Sequence, residues 1–373
     1  MANGVKHHVL IRRWFEIVFV LLVINVGSII LAFAFGWTLP RSAEIAFEFG
    51  QGNKRSLYLL DINRDLIIQL ARGSNPFPSM SWSPDGKHLA YVAPVNDRAD
   101  IFRLDIECAS LLGLCGTAVN LTQHIATDSE PVWSPDGSSI IFVSERNGTP
   151  ELYWMPSTGG TAVNLTHDPA SDSFPVWSPD GRYVAFYSDR NRFLEVYVMN
   201  MDCLREITSC PKAIHRLGGG FNSLPAWSPD SKQLAYFANG DLLLVETECL
   251  ARSDDCAAHA RNLTRSPFTD WYPVWSPDNQ RLLFQSNRSD EPQIYEANVN
   301  CDSTKSDCAT PLKIALSYSL YPSFSPDGRQ IMLLSNDHDS QELYLLSAAE
   351  GSVRRITNMG GQISSARWRP GPP

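Results

Sequence analysis

Between residues 44 and 368 the chain alternates short apolar runs with polar turns, and the alternation itself recurs. Residues 175–191 (PVWSPDGRYVAFYSDRN) nearly copy residues 131–147 (PVWSPDGSSIIFVSERN). Aligned on the aromatic residue that precedes Ser-Pro, the anchors are Trp82, Trp133, Trp177, Trp227, Trp275, Phe324 and Trp368, spaced 44 to 51 residues apart, the last followed by a degraded Arg369-Pro370-Gly371. Inside each unit one apolar run ends in the anchor, a second follows the turn (YVAFY, 183–187), a third follows a polar hairpin (EVYVM, 195–199), and a short piece such as AVNL (162–165) closes the unit. Four short strands in a period of this length predict one blade of a β-propeller.

The turn explains why the wording repeats. In Ser178-Pro179-Asp180-Gly181 the proline presets φ for the second turn position, Asp suits the third, and Gly accepts the positive φ that leads into the next strand. The anchor indole supplies a large apolar plate to pack on the neighbouring sheet. A turn role repeated six times accounts for the Asp residues without catalysis. At the ends, residues 44–70 read as the second, third and fourth strands of a blade that lacks its first, and residues 363–368 read as a first strand with nothing after it. Joined, they complete a ring. The predicted fold is therefore all-β: a seven-bladed β-propeller closed by pairing of the N- and C-terminal strands, which hides nearly all strand edges.

The N-terminus is of another kind. Residues 17–37 contain no charge, enough to cross a bilayer as a helix, and Lys6, Arg12 and Arg13 precede them. The domain reading is a cytoplasmic tail over 1–13, a transmembrane helix (signal anchor) over 14–37, a linker over 38–43 and the propeller over 44–373. This predicts a single-pass membrane protein with its propeller extracytoplasmic, periplasmic or extracellular. A cleaved signal peptide ending near Ala32-Phe33-Ala34 is the competing reading, and it also exports the domain. Eight cysteines point the same way: Cys108 and Cys115, Cys203 and Cys210, Cys249 and Cys256, Cys301 and Cys308 share one spacing at one phase of the repeat. Short-loop disulfides in an oxidising compartment are expected, since no second close Cys or His pair converges as structural zinc requires. The net charge of -9 argues against nucleic acid as a partner.

These W-S-P-D-G turns, the run Ala185-Phe186-Tyr187-Ser188-Asp189-Arg190 and the Leu-Thr ends (Leu121-Thr122, Leu165-Thr166, Leu263-Thr264) resemble the TolB-like, WD40-like (PD40) β-propeller repeat family. The resemblance covers residues 44–368. It implies the fold, found in bacterial envelope proteins and in the propeller halves of dipeptidyl-peptidase-like enzymes, and it leaves function open. Two features depart from it: TolB-type proteins carry a separate N-terminal α/β domain and six blades, and the Cys loops are not part of the general repeat.

Strand order sorts the loops by face. The Ser-Pro-Asp-Gly turns and Cys loops fall on one face, the bottom, where the first strand begins; residues 38–44 span at most about 23 Å, so the bottom is expected to face the bilayer. The hairpins after the second strands and the segments entering the anchor strands fall on the top. There, five residues ahead of the anchors, stand Asp128, Asp172, Asn222, Asp270 and Ser319, with Arg146, Arg190 and Arg288 in the hairpins. One reading makes Asp128, Asp172, Asn222 and Asp270 with the three arginines a binding mouth for a peptide or a cation; the other makes them Asp–Arg pairs that stiffen the blade edge. On the first, replacing Asp172 and Arg190 with Ala leaves folding nearly intact and weakens capture. Sequons at Asn120, Asn164 and Asn262 sit at fixed repeat positions and are ascribed to the fold. No Gly-x-Ser-x-Gly, Walker loop or His-Glu-x-x-His occurs, and no cofactor, metal or catalytic residue is expected. The function predicted is a membrane-anchored, non-enzymatic protein or peptide binding platform. The alternative is a channel-centred enzyme such as a polysaccharide lyase or lactonase, which would converge His, Gln, Asp or Glu from several blades on one metal.

Overall fold

The computed structural model describes residues 43–371 apart from 52–53, 75–79, 107–117, 206, 221–222, 253–254, 290, 303, 305–307, 313–315, 317–318 and 337–339. The compact unit Ala43–Pro373 is built from seven four-stranded antiparallel sheets. Six are continuous in sequence, as in Asp172–Trp177, Tyr183–Ser188, Glu195–Asn200 and Ile214–Gly218 from the inner edge outward. The seventh is composite. Gln362–Trp368 occupies the inner place and pairs with Glu44–Gln51, after which come Lys54–Asp61 and Leu66–Ser74. The ends of the chain close the ring by the predicted pairing, with Ile45 opposite Trp368 and Gly50 opposite Gln362. Blades are numbered 1 to 7 by their anchors, Trp82 to Trp368.

The core is not one mass but a set of clusters, one between each pair of neighbouring blades. Blades 7 and 1 share Ala46, Leu57 and Leu59 with Trp82, Leu89 and Tyr91, a seam as apolar as the others. Six of the seven anchors are buried, and three are covered by the side chain six positions after the preceding anchor: Tyr183 stacks on Trp227 at 6.0 Å, His88 on Trp133 at 6.2 Å, and Arg281 lies 5.7 Å from the Phe324 ring. The indole N–H groups of Trp227, Trp275 and Trp368 donate to Val176, Ala226 and Ser323 carbonyls of the preceding blade at 2.9 to 3.2 Å. The anchor is thus both plate and clasp.

The turns behave as their chemistry predicts. The Ser178 hydroxyl donates to Asp180 at 2.6 Å, Asp180 accepts the Arg182 backbone N–H at 3.1 Å, and Gly181 sits at φ 72°. Where Gly is absent, Ser231 and Asn279 take φ near 60° and reach back to the previous turn, accepting the backbone N–H of Asp180 and Asp230. Hydrogen bonds from the Ser134, Ser276 and Ser325 hydroxyls, with the backbone N–H two residues on, hold the carboxyls of Asp136, Asp278 and Asp327 below the ordinary carboxylate range.

Three disulfides form as predicted, Cys203–Cys210, Cys249–Cys256 and Cys301–Cys308. Cys108 and Cys115 lie outside the described residues, as does the apolar segment 17–37 on which the membrane helix is predicted. No helix among the described residues is long and apolar enough to cross a membrane.

Candidate functional site

The acidic positions of the top face come together with the arginines, within blades. Asp128, Asp172 and Asp270 are fully buried and pair with Arg146, Arg190 and Arg288 at 3.1, 3.0 and 2.7 Å. Each guanidinium also lies over an aromatic ring of its own blade, 4.6 Å from Tyr153, 4.9 Å from Tyr197 and 5.6 Å from Tyr295. Burial pushes the Asp172 carboxyl above its ordinary value, against Ser188 and Arg190. Each triad ties the hairpin to the inner strand of its own blade, the arrangement the blade-edge reading expects. Ser319, the fifth position of the series, is also fully buried, and Asn222 lies outside the described residues.

The Asn-Leu-Thr ends are equally committed. Asn120 and Asn262 donate to Asp100 and Asp241 at 2.6 and 2.7 Å while their side-chain oxygens accept the backbone N–H of Thr122 and Thr264. Asn164, similarly tied to Glu151, is 6% exposed. The sequons are strand-end locks.

The concave feature is the channel on the ring axis. In blades 2, 3, 5 and 6 the inner strand carries one extra residue between the fourth and first positions before the anchor. The residue three before the anchor there adopts left-handed backbone: Glu130, Phe174, Tyr272 and Tyr321, φ 51° to 55°. Such non-glycine conformations cost about 1 kcal/mol each and cluster where side chains are aimed for use. The bulge turns these side chains to the axis, where Phe174, Leu224, Tyr272 and Tyr321, with Pro225, Pro273 and Pro322, wall a cavity of about 530 Å³. The rings of Tyr272 and Tyr321 meet edge to face at 5.1 Å, and Tyr321 is 45% exposed. Burial and the adjacent Tyr321 push the Tyr272 hydroxyl up to about 12. On the other side of Phe174, Glu130 accepts its backbone N–H at 2.5 Å, and burial raises that carboxyl to about 7.

Sequence reasoning passed over this wall. Its signal was present in the column three before the anchor, where Phe, Leu, Tyr and Tyr follow one another before a proline. Also missed was Arg367 of the closing strand, which lines the same cavity. Among the described residues no group of three or more His, Cys, Asp or Glu side chains is placed to hold a metal ion.

A closed seven-bladed ring with an aromatic and proline-walled cavity defines a β-propeller. A family profile described as TolB beta propeller domain (PD40) matches residues 23–210, half of the chain, and the chain belongs to that family. The Tol-Pal system protein TolB of Bordetella pertussis is 30% identical over 150 residues, covering 30% of this chain and 34% of that protein, and the Bordetella bronchiseptica protein matches equally. The match thus spans about a third of the length of these curated relatives. TolB from Acinetobacter baumannii superposes with a TM-score of 0.51 at 18% identity over 92% of this chain and 71% of that one. The periplasmic gluconolactonase PpgL of Pseudomonas aeruginosa gives 0.58 at 16% over 89% and 99%, and an oligogalacturonate lyase in complex with manganese 0.58 at 20% over 79% and 83%. At these identities the likeness shows the fold alone.

Proposed function

We propose that this chain is a membrane-tethered, extracytoplasmic propeller that binds a segment of a partner protein at the top mouth of its channel, without catalysis. The observation that carries the reading is the arc of Phe174, Leu224, Tyr272 and Tyr321 along one cavity wall, three of them on strained bulges, with Tyr321 45% exposed. Exposed aromatic and aliphatic side chains are the usual anchors of a protein interface. Ile125, Phe193 and Phe268, in top-face loops, are also exposed, at 85%, 74% and 43%. The Asp–Arg triads frame this mouth: Asp128, Asp172 and Asp270, with Arg146, Arg190 and Arg288, hold the loops that shape it. On this reading the bottom face, where the strand Glu44–Gln51 begins, is turned to the bilayer and the mouth away from it.

A binding role is favoured over the lactonase or lyase reading because the cavity wall offers an arc of rings and prolines in place of converging acids, bases or metal donors. Panning a library of random linear peptides against the full chain in detergent tests it. Enrichment that Tyr272→Ala with Tyr321→Ala reduces tenfold or more is expected; enrichment indifferent to that pair, or none, overturns the reading.

A further inference from the structure

The closing strand breaks the repeat where it faces the channel. In blades 2 to 6 the three residues ahead of the anchor are Glu-Pro-Val, Phe-Pro-Val, Leu-Pro-Ala, Tyr-Pro-Val and Tyr-Pro-Ser, whereas blade 7 has Ser365-Ala366-Arg367. The exchange takes away a bulky side chain and a proline ring, and there the cavity reaches Met332, Leu334 and Leu343, which face the space between blades 6 and 7. It also sets a guanidinium where the other blades carry Val, Ala or Ser.

Arg367 is the one charged side chain among the described residues that line the cavity. It is exposed to solvent, and Glu48 acts on it as the nearby opposite charge. Of its five donors, the Ala366 carbonyl takes one at 3.0 Å. Glu48 neutralises it only in part, because burial has raised that carboxyl to about 7. A cation held between apolar walls gains most from a carboxylate that arrives with the ligand.

We propose that the channel chooses its occupant by acidity. Resting on the channel-mouth reading, the occupant is a peptide segment of a partner protein that sets an Asp, Glu or C-terminal carboxylate against Arg367 and an aliphatic or aromatic side chain into the gap between blades 6 and 7. A peptide suits the walls better than an acidic sugar, whose many hydroxyls would meet proline, leucine and methionine and lose their water without replacement.

The peptides enriched on the full chain supply the probes. Wild-type selection is expected to enrich acidic residues beside an apolar one. Arg367→Gln is expected to weaken those peptides about ten- to a hundredfold and to leave their Asn and Gln analogues within about threefold, since a hydrogen bond to a charged group is being removed. Ala366→Leu, which fills the gap and leaves the charge, is expected to weaken acidic and amide peptides alike. Enrichment that depends on Tyr272 and Tyr321 but shows no acid preference, or an acid preference that survives Arg367→Gln, overturns this inference and spares the binding reading. Absence of any enrichment overturns both. Tight binding of oligogalacturonate in place of peptides overturns the choice of occupant. Thermal unfolding of each variant within a few degrees of wild type confirms that the comparison concerns folded protein.

Discussion

Across the seam where the ends of the chain meet, the indole N–H of Trp82 donates to the carbonyl oxygen of Arg367, 3.4 Å away and 285 residues distant in sequence. Trp227, Trp275 and Trp368 make the same bond to the blade before them. The closure therefore reuses the joint that holds blades together elsewhere. Arg369 adds to it by pairing with Glu44 and lying 5.4 Å from the Trp82 ring.

If the seam is a joint like the others, removing it opens the ring. Trp368→Ala is expected to cost about 3–5 kcal/mol, the usual loss for a buried tryptophan. Deletion of residues 362–373 is expected to abolish cooperative unfolding. Urea denaturation followed by tryptophan fluorescence checks both, and a deletion that unfolds like wild type would show that the ring does not depend on its last strand.

The Asp–Arg triads are expected to act on stability before they act on binding. Asp172→Ala strands Arg190 at the blade edge and should destabilise by roughly 2–4 kcal/mol, with Arg190→Ala close behind and the double change well short of their sum. A double-mutant cycle by denaturant titration measures the coupling. Additive losses would mean that the pair does not work as a unit.

Much of the architecture was legible because its determinants are local. Trp-Ser-Pro-Asp-Gly specifies a turn by dihedral preference and side-chain capping alone, so period, blade number and the composite seventh blade followed from counting. Asp172 and Arg190 were legible as a recurrent pair, but their burial was not. That depends on Tyr197 and Phe186 lying beneath the guanidinium, which only the folded hairpin brings there. The channel wall was hidden for a related reason: a bulge before proline turns Tyr272 and Tyr321 from the sheet to the axis, and strand periodicity carries no mark of a bulge. Arg367 stood in plain view in a strand read only as the one that closes the ring.

Stability should depend on pH through Glu48. Burial, opposed by Ser364, Arg55 and Arg367, raises its carboxyl from 4.5 to about 7. An acid whose pKa is higher in the fold than in the unfolded chain contributes stability in its protonated form. The contribution is complete below about 4.5 and disappears as pH rises through about 7. Relative to Glu48→Gln, the wild type is expected to lose stability between pH 5 and pH 8, by at most about 3 kcal/mol. Melting temperatures of the two proteins across that interval make the comparison, and a difference that stays constant would contradict it.

The three short disulfide loops among the described residues should matter modestly and additively. Each closes over a separation of 7 residues, for which the chain-entropy relation gives about 2.5 kcal/mol apiece. Reduction with dithiothreitol is expected to lower the unfolding midpoint while the far-ultraviolet circular dichroism of the ring persists at 25 °C. Loss of the β signal on reduction alone would assign the loops a larger role.

Where the ligand sits decides the matter most directly. With a photo-crosslinking amino acid placed singly at Tyr321, at Phe193 on the top rim or at Arg252 beside a bottom-face disulfide, the enriched peptide is expected to form its adduct at Tyr321. Adducts at Arg252 with none at Tyr321 would contradict binding in the channel.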